Sequence, residues 1–100
     1  MDRKEVLEYL REIKEELRQE GIDRIGVFGS VARGSADAAS DLDIVIRTTP
    51  KFVRRFRGIS GFLYFDDLRE RLQKRFGRRV DLCDEAGLKN RKVLEDALYA

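Results

Sequence analysis

The 100-residue chain has no histidine and only one cysteine and one proline. Without histidine there can be no His-based catalytic triad and no His zinc site, which leaves carboxylates as the available metal ligands. A lone Cys83 rules out an internal disulfide and reads as a small apolar residue beside a strand. Long hydrophobic runs are also missing. No stretch approaches the roughly 20 apolar residues of a membrane span, and the start, MDRKEVLEYL, lacks the apolar core of a signal peptide. A cytoplasmic protein is the expectation, with no membrane partner.

A large net charge is absent too. Lys+Arg number 21 and Asp+Glu 19, so 40% charged residues leave a balance of only +2. Such a mixed surface favours solubility and gives no field for nucleic acid, so direct nucleic-acid binding is not expected. The richness in Arg, Lys and Glu points towards a thermophilic source. At this length, one domain over residues 1–100 with one core is the natural organisation.

Hydrophobic spacing supplies the elements. Val6, Leu10, Ile13 and Leu17 form one helical stripe over residues 2–20, with Asp2 and Glu5 as a capping signal and Gly21 as a stop. Strands are predicted at 24–28 (RIGVF), 42–47 (LDIVIR) and 79–83 (RVDLC). Pro50 and the glycines at 58 and 61 read as a loop over 48–62, followed by a helix at about 66–76 carrying Leu68, Leu72 and Phe76. A last helix is predicted at about 87–98 from Leu88, Val93, Leu94 and Leu98. The alternation gives an α/β fold, a small mixed sheet with helices over one face and the other face partly open.

The chemistry concentrates in GSVARGSADAASDLDIVI, residues 29–46. Asp41 and Asp43 lie at i and i+2 of a strand, so both project from one face, roughly 6.6 Å apart along it. Like charges at that spacing repel, and a hard cation such as Mg²⁺ would relieve them. Asp81, exposed on another strand, can add a third carboxylate, enough for two Mg²⁺ ions about 4 Å apart as used for displacement at phosphorus. Gly29 lets the backbone approach a ligand, Ser30 adds a hydroxyl, and the short helix opening there presents free N–H groups to phosphate. Arg33 is a candidate phosphate contact or a brace for the turn. Ser40 either orients Asp41 or begins the strand, and Asp37 reads as a solvated turn residue. The run KFVRRFR at 51–57 reads as a mobile loop, a contact for an acidic partner face, a triphosphate contact or an RNA-binding element.

The pattern G-S, ten residues, D-x-D resembles the signature of the DNA polymerase β-like nucleotidyltransferases. The A-R-G after G-S, Ser40 before the first Asp, and VDL at 80–82 resemble the minimal nucleotidyltransferases of prokaryotes. That resemblance implies a three- or four-stranded mixed sheet flanked by helices, and transfer of a nucleoside monophosphate from an NTP with release of pyrophosphate. It implies that Gly29 and Ser30 hold the β/γ-phosphates, that Asp41 and Asp43 bind the metals, and that Asp81 completes the site and helps deprotonate the acceptor. It further implies ATP as substrate, an adjacent-gene HEPN-domain toxin as partner, and AMP transfer to a tyrosine of that toxin. The alternatives are an antitoxin that acts by binding alone, an aminoglycoside-type nucleotidyltransferase and an RNA-binding regulator. A homodimer and a hetero-oligomer both remain open.

Overall fold

The computed structural model describes residues 2–100. Helix α1 (Arg3–Glu20) begins where Asp2 accepts a hydrogen bond from the Glu5 amide at 3.0 Å. It ends at Gly21, whose φ of 102° closes the last turn through hydrogen bonds to Leu17 and Arg18 carbonyls. Gly21 is needed twice over, because a Cβ there would also run into the Phe52 backbone. The stripe Val6, Leu10, Ile13 and Leu17 is buried.

Strand β1 (Ile22–Phe28) follows at once. Ile22 and Ile25 are an odd number of residues apart and would point to opposite faces of a regular strand. The pairing slips between Ile22 and Arg24, so both join Val27 in the same core. A short helix α2 (Gly29–Arg33) leads to β2 (Leu42–Thr48), which pairs antiparallel with β1. Strand β3 (Val80–Asp84) pairs parallel with β2, and β4 (Leu98–Tyr99) pairs antiparallel with β1, giving the order β3-β2-β1-β4. The four-stranded mixed sheet matches the fold class read from the sequence.

Two expected elements are wrong. The predicted loop at 48–62 holds helix α3 (Pro50–Arg55) and the start of α4 (Ile59–Phe76), so the second long helix begins at 59, not at about 66. Pro50 opens a helix here instead of lying in a loop, because the first helical position needs no N–H. Phe52 drives the packing: it is buried, with ring centroids 4.8 Å from Phe56, 5.3 Å from Tyr64 and 5.4 Å from Phe65. The predicted helix at 87–98 does not form. That segment makes 3₁₀ turns at Glu85–Gly87 and Arg91–Leu94 and then strand β4. Asp84 and Asn90 each hydrogen-bond the amide two residues on, at 3.1 and 3.0 Å, which favours tight turns over a continuing helix.

The core lies between α1, α3 and α4 and one sheet face, with Ile44, Ile46, Leu42 and Val80 from the strands meeting Leu68 and Leu72. The opposite face carries three rows. Asp43 and Asp81 pair in register at one end, Gly26, Val45, Cys83 and Tyr99 in the middle, and Arg24 and Arg47 at the other end. In the middle row Val45 is fully buried, while Cys83 and Tyr99 are partly exposed. No helix among the described residues is long and apolar enough to cross a membrane.

Candidate active site

The acidic row forms where β1 hands over to α2. Phe28 lies opposite Asp43 in the register, so the turn after it passes over the Asp43 carboxylate. Gly29 has a φ of 69°, and a Cβ at this position would overlap Asp43 Oδ2. Both the backbone angle and the space therefore demand glycine. No side chain caps the first turn of α2, so its leading amides lack an intrahelical or side-chain partner. The Ser30 carbonyl is used by the Ser35 amide at 2.9 Å, which curls the chain back after Gly34.

Asp43 and Asp81 sit side by side on the parallel strands β2 and β3. Among the described residues, the hydrogen bonds and ion pairs include none to either carboxylate. Burial pushes the Asp43 carboxyl above the usual carboxylate range, Asp81 and then Asp41 push it further, and the Arg33 guanidinium opposes them. Asp41 is more exposed and turns towards Arg79, with Oδ2 4.0 Å from Nε. As placed, no three His, Cys, Asp or Glu side chains among the described residues are gathered closely enough to hold a metal ion.

Seven residues were expected in this site. The structure brings Gly29 against Asp43, sets Asp81 beside Asp43, and leaves Arg33 close enough for its charge to act on Asp43 without pairing with it. Ser30 stands in the first turn of α2. Asp41 belongs to the same strand end but faces Arg79. Ser40 is engaged elsewhere: its hydroxyl accepts from the Asp37 amide at 3.0 Å and donates to Asp37 Oδ1 at 3.2 Å. Asp37 is therefore more than a solvated residue, because it folds the turn that delivers Asp41.

Arg78 escaped the sequence reading. Its Nη1 donates to the Asp37 and Ser40 carbonyls at 3.3 and 3.2 Å, pinning the turn to the start of β3. Beside the acidic row runs a groove of about 450 Å³ lined by Asp41, Arg69, Gln73, Arg79, Val80 and Asp81. No signal in a single sequence pairs Arg78 with a turn 38 residues away, or α4 with Asp81.

A half-buried acid with no ion pair or hydrogen bond among the described residues, beside uncapped amides, suits a phosphate-bearing ligand that arrives with cations. Comparison with known proteins agrees. Residues 10–99 match the nucleotidyltransferase domain family. Protein adenylyltransferase MntA of Thermococcus cleftensis is 39% identical over 90 residues, covering 86% of this chain and 83% of the relative. A solved structure assigned as a minimal nucleotidyltransferase superposes with a TM-score of 0.72 at 32% identity, covering 98% of this chain and 95% of its own. A toxin–antitoxin structure with AMP-PNP shares the fold, with a TM-score of 0.63 at 21% identity over 89% of this chain and 69% of its own. Since the family match runs through both strands that carry the carboxylates, the chain belongs to the nucleotidyltransferase domain family and is a homologue of protein adenylyltransferase MntA.

Proposed function

We propose that this chain, as a single domain over residues 1–100, transfers AMP from ATP to a hydroxyl of a partner protein and acts as the antitoxin of a toxin–antitoxin module. The supporting observation is the approach of Gly29 to Asp43, which puts uncapped amides and an unpaired acid within one ligand's reach. Asp41, Asp43 and Asp81 would hold Mg²⁺, two ions in the full site. Their oxygens suit a hard cation, and the raised proton affinity of Asp43 is what a partly buried acid beside two others and without an ion pair should show. Once bound, Mg²⁺ would supply positive charge against the triphosphate and the reacting oxygens. For the three acids to share it, Asp41 must turn away from Arg79, which an exposed side chain can do at small cost.

The amides at Gly29 and Ser30, with the Ser30 hydroxyl, receive the β/γ-phosphates. Arg33 steadies the charge beside them, and Ser40 keeps the turn in shape. The acceptor oxygen attacks the α-phosphorus in line, and the bond from that phosphorus to the β-bridging oxygen breaks. Pyrophosphate leaves with the bonding electrons, while the hydroxyl proton passes to Asp81, exposed on the edge strand β3. AMP remains on the acceptor as a phosphodiester.

A tyrosine of an adjacent-gene HEPN-domain toxin is the acceptor that the family resemblance implies. In support, the 39% identical relative is named a protein adenylyltransferase, and a toxin–antitoxin structure with AMP-PNP has this fold. ATP use makes the cytoplasm the proposed place of action. The test is label transfer. ATP labelled at the α-phosphate should leave its label on the adjacent gene's product, and ATP labelled at the γ-phosphate should not. Label on an aminoglycoside instead, or a tight complex with no label, would replace this reading with one of its rivals.

A further inference from the structure

Helix α4 starts with an apolar stripe that nothing among the described residues covers. Ile59, Phe62 and Leu63 stand at i, i+3 and i+4, on one side of the helix, and are 75%, 75% and 57% exposed. A stripe with that spacing normally faces a core. Val53, on the neighbouring α3, is exposed as well, at 60%. No side chain caps the start of α4, whose N-cap is Gly58. The KFVRRFR run splits accordingly. Phe52 and Phe56 turn inward to Tyr64 and Phe65, which removes the aromatic rings an RNA strand would stack on.

The outward residues of that run are basic. Arg55 pairs with Glu20 at 2.9 Å, but Lys51, Arg54 and Arg57 have no carboxylate partner among the described residues. An exposed apolar cluster bordered by unpaired cations is the pattern of an interface core with a charged rim. It argues against a symmetric dimer, in which the patch would meet itself and bring like charges together.

We propose that the α3–α4 corner is the docking surface for a different protein, one whose contact face is apolar at the centre and acidic around it. Its identification with the toxin rests on the reading above. Docking and chemistry are then separate. From Leu63 to Gln73, which lines the groove at Asp81, α4 rises about 15 Å. A partner seated on the corner lies along α4 and reaches the carboxylates with its acceptor, so α4 sets which hydroxyl arrives.

The test uses the purified toxin partner with four forms of this chain: wild type, Phe62→Asp, the pair Arg54→Glu with Arg57→Glu, and Asp43→Asn. These positions are exposed or half-exposed, so circular dichroism should show all four folded. Calorimetry should give affinity weakened about 100-fold by Phe62→Asp and about 10-fold by the double reversal, with the latter loss shrinking at high salt. Asp43→Asn should bind as wild type. Unchanged affinity in both surface variants, with AMP still transferred, would overturn the docking surface alone. Tight wild-type binding without AMP transfer would overturn the enzymatic reading and leave the surface standing. If the wild type ignored the toxin and self-associated until Phe62→Asp made it monomeric, the occupant would be a second copy. If the wild type did neither, the docking surface would fall as well.

Discussion

Asp43 and Glu85 occupy opposite ends of one sheet face and are treated in opposite ways. Glu85, 6% exposed, directly follows β3 and accepts from Arg24 Nη2 at 2.5 Å and Arg91 Nη1 at 3.1 Å. The Arg24 hydrogen bond holds its carboxyl below the usual range despite burial, and Arg91 adds to this. Tyr99 covers the Arg24 guanidinium, 4.3 Å from ring centroid to Cζ, so the cluster fastens the C-terminal segment over Val45. Asp43, at the other end, has its carboxyl pushed up, because burial acts on it with no hydrogen bond to offset it and its neighbours Asp81 and Asp41 add the same charge. Where the fold needs a carboxylate, it provides the arginines. At Asp43 acids accumulate without such partners, and in the proposed function the counter-charge comes with the ligand.

The largest effect should come from removing the unpaired acid. Asp43→Asn is expected to lower AMP transfer by about 1,000-fold while leaving the melting temperature equal or higher, since it removes an unfavourable charge. A loss of stability instead would make the two carboxylates alike and break the comparison. Gly29→Ala should follow, lowering transfer by about 100-fold through displacement of Asp43 and costing about 1–2 kcal/mol from the φ of 69°. Urea unfolding and label transfer on one preparation would separate the two losses.

Glu85→Ala should do the reverse. Breaking a buried pair whose arginine is a third exposed is expected to cost about 2–3 kcal/mol, seen as a lower urea midpoint. Transfer per folded molecule should stay within a few-fold of wild type.

The two acids should also separate by pH. Glu85, held below its free value of 4.5, contributes stability that is complete above that pH and lost as pH falls through its folded value. Asp43, held above its free value of 3.8, contributes a penalty that is absent below that pH and grows as pH rises through its folded value. Glu85→Gln should therefore flatten the acid limb of the stability curve, and Asp43→Asn should gain on wild type as pH rises above 3.8. The smallest effect belongs to the exposed i,i+3 pair. Glu15→Gln removes a 2.6 Å contact to Arg18 yet should leave the melting temperature unchanged, since solvent screens both partners.

The legible parts of this molecule are those whose cause is local. Helix α1 announces itself by spacing and caps, and residues 29–46 bring together Gly29, Asp41 and Asp43 within one turn and one strand. The pairing of Asp81 with Asp43 needed only the expectation of an adjacent strand. What stayed hidden depends on distant partners. Arg24 and Glu85 are 61 residues apart, so Glu85 looks like any surface acid until β4 and the turns fold over β1. The helix expected at 87–98 failed for the same reason in part: besides the local turns at Asp84 and Asn90, Leu98 and Tyr99 follow the edge of β1 at Gly26, where a Cβ would lie 2.5 Å from the Leu98 carbonyl oxygen. At 48–62 one proline was misread, because Pro50 stops a strand and starts a helix in the same step.

The most direct measurement is the intact mass of the adjacent gene's product after incubation with this chain, ATP and Mg²⁺, with the Asp43→Asn chain in parallel. A mass gain in whole AMP units with the wild type and none with the variant is the predicted result. An unchanged mass while the complex still forms, or equal gains with both chains, would contradict the account.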